Sequence, residues 1–197
     1  MPEAGRGRNR RGEGDKLRES IVSAAVSIID DGIDPVTLRG IARHAGIAAP
    51  SIYPHFTDLQ AVLDAVLARS FADLDVVVER AMKQQRSPDE QLVAGCMAYV
   101  GYGWQNRSRY RFMIAGTGFA PHAVTTFSRV EDALRECVAA GSSQSADPHE
   151  DAFLLWVGMH GMATLDAPDR AELRRLGPLD RPALAEKLAR RLARLNS

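Results

Sequence analysis

The chain has 197 residues, room for one large or two small domains, and 45% apolar with 25% charged residues is the composition of a folded globular protein, which excludes disorder over the whole length. Lys plus Arg and Asp plus Glu each number 25, so the net charge is zero; a global basic field is absent and any grip on nucleic acid rests on a local patch. Two cysteines exclude a disulfide framework, no apolar run reaches the ~20 residues of a membrane span, and no signal-type stretch follows the basic start, so a cytoplasmic location is expected.

Residues 1–14 are rich in Gly, Arg and Glu without apolar periodicity and read as a disordered basic arm, either a solvated tail or a set of Arg side chains for a minor groove. From Asp15 the spacing becomes helical, with Leu17, Ile21, Ala24, Ala25, Ile28 and Ile29 on one face and Gly32 as the stop. Asp34–Pro35 is a turn. A short helix is predicted over Leu38–Ala45 with Thr37 as its N-cap, then a second over Ala49–Tyr53 that stops before Pro54. Thr57 or Asp58 caps a long helix to about Lys83. Ser87-Pro88-Asp89-Glu90 is a capping-box start for a helix to about Asn106. Further helices are predicted over Arg109–Ala115, ended by Gly116 and Gly118, from Pro121 to Ala140, and from Asp147-Pro148-His149-Glu150 to about Asp166. Residues 168–180 read as a turn-rich connector, and the last helix spans about Pro182–Leu195. No segment alternates apolar and polar residues long enough for a strand. The expected class is all-α, with about nine helices: a helix-turn-helix unit at 15–60 and a helical body at 61–197.

Residues 37–56, TLRGIARHAGIAAPSIYPHF, carry the most information. Ala42 lets two helices cross closely, and Gly46 supplies the positive φ of a tight helix-turn-helix. Leu38, Ile41, Ile47, Ile52 and Phe56 lock the crossing, which leaves Ala48, Ala49, Pro50, Ser51, Tyr53 and His55 outward. Between Pro35 and Thr57 there is no acid but there are Arg39, Arg43, His44 and His55. That window suits an approach to phosphate, and small weakly polar residues suit a groove with thymine methyls.

At these residues the chain resembles the TetR family of bacterial transcription regulators. The resemblance is close over residues 15–70 and one of layout beyond. It implies a homodimer that binds a palindromic double-stranded DNA operator and is released by a small-molecule effector, with no cofactor. Carried over by position, Thr37 and Arg39 would contact phosphate, Ala48, Ala49, Pro50, Ser51 and Tyr53 would face the major groove, and Tyr53 and His55 match the family's Y-x-H-F signature. Leu59 departs from the family's usual Lys, and Pro54 shortens the recognition helix. Trp156-Val157-Gly158-Met159-His160-Gly161 resembles the W-x-x-x-H-G motif of one C-terminal subfamily, in which that helix joins the dimer bundle.

The body is crowded with aromatic and sulfur residues. Tyr99, Tyr102, Trp104, Phe112, Phe119, Phe127, Trp156 and Met159 are candidates for an apolar ligand pocket, each competing with a plain core role. Trp156, His160, Leu184, Leu188 and Leu192 are candidates for the dimer interface, the leucine stripe being core, interface or both. His122, His149 and His160 lack the paired spacing of a metal site, and Cys96 and Cys137 read as buried small apolar residues. No phosphate-binding glycine loop or nucleophile set is present, so no enzyme is expected. The alternative class is a helical small-molecule or partner-binding module without DNA binding, which Leu59 alone supports.

Overall fold

The computed structural model describes residues 13–115, 119–165 and 180–196, without the side chains of Glu13, Phe119, Ala120 and Arg181. Residues 1–12 of the arm expected at 1–14, the Gly116–Gly118 break and residues 168–179 of the connector expected at 168–180 lie outside the described residues. Among the described residues there are eight α-helices and one short 3-10 helix. Extended pairing is confined to an isolated antiparallel bridge between Ser143 and Leu195. The all-α expectation is therefore the observed class. No helix among the described residues is long and apolar enough to cross a membrane.

The chain divides into two compact units, Met1–Arg69 and Ser70–Ser197. The first holds α1 (Glu13–Asp30), α2 (Leu38–His44), the 3-10 helix (Ala49–Ile52) and the start of α3 (Leu59–Lys83). α1 begins two residues before the expected Asp15, so Glu13 and Gly14 belong to it. Its apolar stripe from Ile21 to Ile29 is buried as the spacing demands, with Ile21 and Ala25 wholly so, while Leu17 is half-buried. α1 packs on α2, and α2 on the 3-10 helix. Beneath the turn, Ile41, Ala42, Ile52 and Phe56 are buried, each large side chain stabilising by about 2 kcal/mol. Arg69 Nη1 donates to Ser23 Oγ at 2.7 Å, tying α3 to α1, and the Arg18 guanidinium lies 4.8 Å from the Phe56 ring centre.

In the second unit follow α4 (Pro88–Gln105), α5 (Arg107–Ala115), α6 (Phe119–Ala139), α7 (Pro148–Thr164) and α8 (Arg181–Leu192). α4 packs against α6, α7 and α8 and is the centre of this unit. Its run LVAGCMAYVGYG is apolar on nearly every side, and such a helix belongs inside. Gly103 allows its closest crossing, because a Cβ there would stand 2.8 Å from the Ala163 Cβ of α7. The two start signals read from sequence both cap, as Ser87 Oγ accepts from Glu90 N and Asp147 Oδ1 from His149 N and Glu150 N; Asp180, expected in the connector, caps α8 by accepting from Ala183 N.

α8 ends at Leu192, three residues before its expected end at Leu195, because residues 193–196 pair with the loop after α6. Ser143 Oγ donates to Ala193 O at 2.7 Å, Gln144 N to Arg194 O at 3.0 Å, and Asn196 N to Ser142 O at 2.9 Å. Buried Asp151 accepts from Ser145 Oγ at 2.6 Å and pairs with Arg194. The buried face of α8 is Ala185, Ala189 and Ala193. Leu184, Leu188 and Leu192 are half-buried, and the methyls of the last two sit beside Gly158 of α7.

Candidate nucleic-acid interface and body cavity

The turn between α2 and the 3-10 helix is built by a helix C-terminus of Schellman type. Gly46 takes φ +67°, Gly46 N donates to Arg43 O at 3.2 Å, and Ile47 N donates to Ala42 O at 3.0 Å. Thr37 caps α2 through Oγ1, which accepts from Gly40 N at 3.0 Å. Asp58 rather than Thr57 caps α3, since its Oδ1 accepts from Ala61 N at 2.8 Å. The predicted Ala49–Tyr53 helix is a single 3-10 turn ending at Ile52, with Tyr53 still at helical angles. Pro50 lacks an N–H and Pro54 disfavours helix at the residue before it, so the turn cannot lengthen.

The residues expected to face DNA fall on the outside of this unit. Thr37, Arg39, Ala48, Pro50 and Tyr53 are exposed, Tyr53 to 61%, and Ala49, Ser51 and His55 are half-exposed. Arg43 and His44, in the last turn of α2, are exposed as well. With no acid from Val36 to Phe56, this surface carries only positive or neutral groups.

In the second unit a cavity of about 50 Å³ lies among four helices. Leu74, Asp75, Val78 and Met82 of α3 line it, with Leu92, Gly95, Cys96 and Tyr99 of α4, Thr126, Arg129, Val130 and Ala133 of α6, and Met159 of α7. Of the aromatic and sulfur residues singled out in the sequence, Tyr99 and Met159 reach it. Tyr102, Trp104, Phe112, Phe127 and Trp156 are not among its lining residues, and the Phe119 side chain lies outside the described residues. Tyr102 is buried with its hydroxyl on Ser70 O, and Trp104 Nε1 donates to Met162 O at 2.8 Å. Sequence reasoning missed Asp75 and Arg129, an ion pair in the lining. Two acids two residues apart, Asp73 and Asp75, inside the run ADLDVVV were the available signal.

Beside the cavity, Tyr99, Tyr110 and His160 form a buried polar cluster. The Tyr99 and Tyr110 hydroxyls are 3.0 Å apart, and the Tyr110 hydroxyl is 2.6 Å from His160 Nδ1. Burial pushes the His160 imidazole down to about 4, so the ring is neutral at pH 7, and burial raises both tyrosines. Burial also pushes the Cys96 thiol up to about 12 and Cys137 to about 11, which keeps both protonated. Among the described residues no group of three or more His, Cys, Asp or Glu is placed to hold a metal ion.

α7 presents a second face. Phe153, Leu154 and Val157 are each roughly half-exposed, and Phe127, Phe153 and Trp156 meet edge to face at 6.1 Å. Six successive apolar residues, Ala152 to Val157, exceed what one side of a helix can bury, and that excess was legible in the sequence.

An exposed acid-free helix-turn-helix on one unit and an all-helical second unit define a DNA-binding transcriptional regulator. Residues 21–66 match the bacterial regulatory proteins of the tetR family, and residues 92–192 match the tetracyclin repressor-like C-terminal domain. The chain belongs to the TetR family, whose members are regulators and not enzymes. It is similar to an uncharacterised helix-turn-helix transcriptional regulator of Mycobacterium tuberculosis, 30% identical over 155 residues, or 76% of this chain and 69% of that one. Tetracycline repressor protein class D of Escherichia coli is 38% identical over 56 residues, 28% of this chain and 26% of the repressor. A solved structure of a protein of unknown function from Rhodococcus sp. RHA1 superposes with TM-score 0.74 at 26% identity, over 97% of this chain and 100% of that one.

Proposed function

We propose that the protein is a homodimeric repressor that binds a palindromic operator and leaves it when a small, mainly apolar molecule enters the body. The observation that carries this reading is the exposed, acid-free segment 36–56 with Tyr53 at its tip. Thr37 and Arg39 hold phosphate, as does His55. Ala48, Ala49, Pro50, Ser51 and Tyr53 enter the major groove, where short side chains bring the backbone near thymine methyls. Residues 15–60 are the reading domain and 61–197 the effector and dimer domain.

Two reading segments must stand one DNA turn apart, ~34–36 Å, which requires a symmetric mate. The exposed apolar strip of α7, with α8 beside it, supplies a surface for that mate. Trp156, His160 and Gly161 lie on the same helix, and a Cβ at Gly161 would meet open space. A cavity of about 50 Å³ is far below the ~300–1,000 Å³ of a typical ligand site, so an effector has to part the helices that line it. One of these is α3, which also carries residues 59–69 of the reading unit. The effector shifts DNA binding only as far as its affinities for the two states differ.

The test is binding of the purified dimer to its own upstream DNA across a salt series. A palindromic site with affinity falling steeply with salt is expected. Absence of any salt-sensitive complex, with no palindrome from a genome-wide selection, overturns the reading.

A further inference from the structure

One ion pair interrupts a mostly apolar cavity lining whose other polar side chains are Thr126 and Tyr99. Asp75 of α3 and Arg129 of α6 are its two charged residues, joined Oδ1 to Nη1. They are not equivalent. Asp75 sits on a short stem and its side chain is 33% exposed, whereas Arg129 has a long stem and is 47% exposed. Burial, with the nearby Glu79 charge, raises the Asp75 pKa although the Arg129 guanidinium pulls it the other way. Glu79, one turn further along α3, also feels the Arg129 charge and is itself paired with Lys83 at 2.9 Å. His122 adds a smaller influence on Asp75.

We propose that the effector is an apolar molecule bearing one protonated amine, whose ammonium replaces the Arg129 guanidinium on the Asp75 carboxylate while its hydrocarbon part fills the space between Leu74, Val78 and Met159. This names the ligand class for the cavity and rests on the reading of that cavity as the effector site. The charge arrangement decides between classes. An anion seated on Arg129 would strand the Asp75 carboxylate, part-buried and next to both Glu79 and the new charge. A neutral ligand would leave the pair closed and gain no strong polar contact. A cation keeps Asp75 paired and releases the more exposed, more flexible member, which swings to water or toward Glu79. The exchange also severs a tie between α3 and α6, and leaves the Arg109–Asp73 pair at 3.3 Å holding α3 to α5.

Titration calorimetry on the full chain with hexylamine, hexan-1-ol and hexanoate separates the classes at matched hydrocarbon length. Hexylamine is expected to bind about tenfold tighter than either counterpart. Asp75→Asn should erase that preference, and Arg129→Gln should tighten hexylamine severalfold by removing the internal competitor. Gly95→Val and Ala133→Leu, which fill the cavity, should abolish binding while the helical circular-dichroism spectrum is kept. If hexanol or hexanoate binds as well as hexylamine, or Arg129→Gln weakens the amine, the ammonium proposal fails; the cavity reading survives provided the filling variants still block binding. If no probe binds, or the filling variants bind as before, the proposal and the cavity reading both fail.

Discussion

The two units hold their candidate functional groups differently, one on its outside and the other around a cavity. In the reading unit they are outside: Tyr53, Thr37, Arg39 and Pro50 are exposed over a small apolar base of Ile41, Ile52 and Phe56. In the body they surround a cavity: Tyr99 and Met159 are buried in its lining, Asp75 and Arg129 line it part-exposed, and Tyr110 and His160 are bonded beside it. A surface group can be exchanged without disturbing what lies under it. An interior group serves packing and recognition together, so its replacement changes both. The reading unit should therefore lose binding without losing stability, and the body should lose both.

The largest break falls in the body. Gly103→Leu drives a side chain into Ala163, whose Cβ lies 2.8 Å from where the new Cβ would stand, and backbone hems the site in. A loss of about 3 kcal/mol or more is expected in urea unfolding, since the helices must move apart. Tyr110→Phe comes next. It deletes the hydroxyl that His160 Nδ1 and the Tyr99 hydroxyl both meet, so each loses one bond while the Tyr99 hydroxyl keeps its 3.1 Å contact with the His160 ring. A cost of about 1–3 kcal/mol follows, read as a lower urea midpoint. An unchanged midpoint would mean that the cluster is reached by water and plays no part in holding the body.

The same contrast governs what could be read in the sequence. The helix-turn-helix was legible almost to the residue because its signals are local. Thr37 caps three residues ahead of Gly40, Gly46 must take positive φ, and Pro54 ends the turn. The starts of α4 and α7 were legible for the same reason, whereas the Asp180 cap that opens α8 was placed in the connector. The end of α8 was not legible, because it depends on Ser142–Gln144, some fifty residues distant in sequence. The cavity was the least legible part. Tyr99 and Tyr102 are both buried aromatics on α4, and only the surrounding helices determine that Tyr99 turns to the cavity and Tyr102 to Ser70 O. Among the described residues, only Tyr99 and Met159 of the eight ligand candidates line the cavity, and the charged pair in its lining was passed over.

Smaller effects sharpen the contrast from the reading side. Tyr53→Ala should weaken operator binding by about tenfold with the unfolding midpoint unchanged, because the ring is 61% exposed and supports nothing. Fluorescence anisotropy beside a urea titration checks both halves. A lowered midpoint would put Tyr53 in the fold and not in the groove. Arg39→Ala should weaken every DNA sequence alike and reduce the slope of log affinity against log salt by about 1. A change confined to one sequence would instead make Arg39 a base reader.

The smallest expected effect is a pH dependence in the stability of the body. Burial holds the His160 imidazole at about 4 in the folded chain, against an ordinary 6.5 once unfolded. Between those values the unfolded chain binds the extra proton, so this contribution to stability is complete above pH 6.5, declines as pH falls, and is exhausted below about pH 4. The ring still meets some water, which screens the effect and keeps it modest. The two tyrosine neighbours are raised and do not titrate in that window, whereas carboxylates elsewhere begin to at its lower end. The signal is therefore the difference between wild type and His160→Gln, whose amide keeps a bond to Tyr110 but takes no proton. Urea midpoints at about pH 7.5 and pH 5 should converge for the two proteins at the lower value. Parallel shifts in both would place the titrating group elsewhere, and would remove His160 from any account of why the body favours neutral pH.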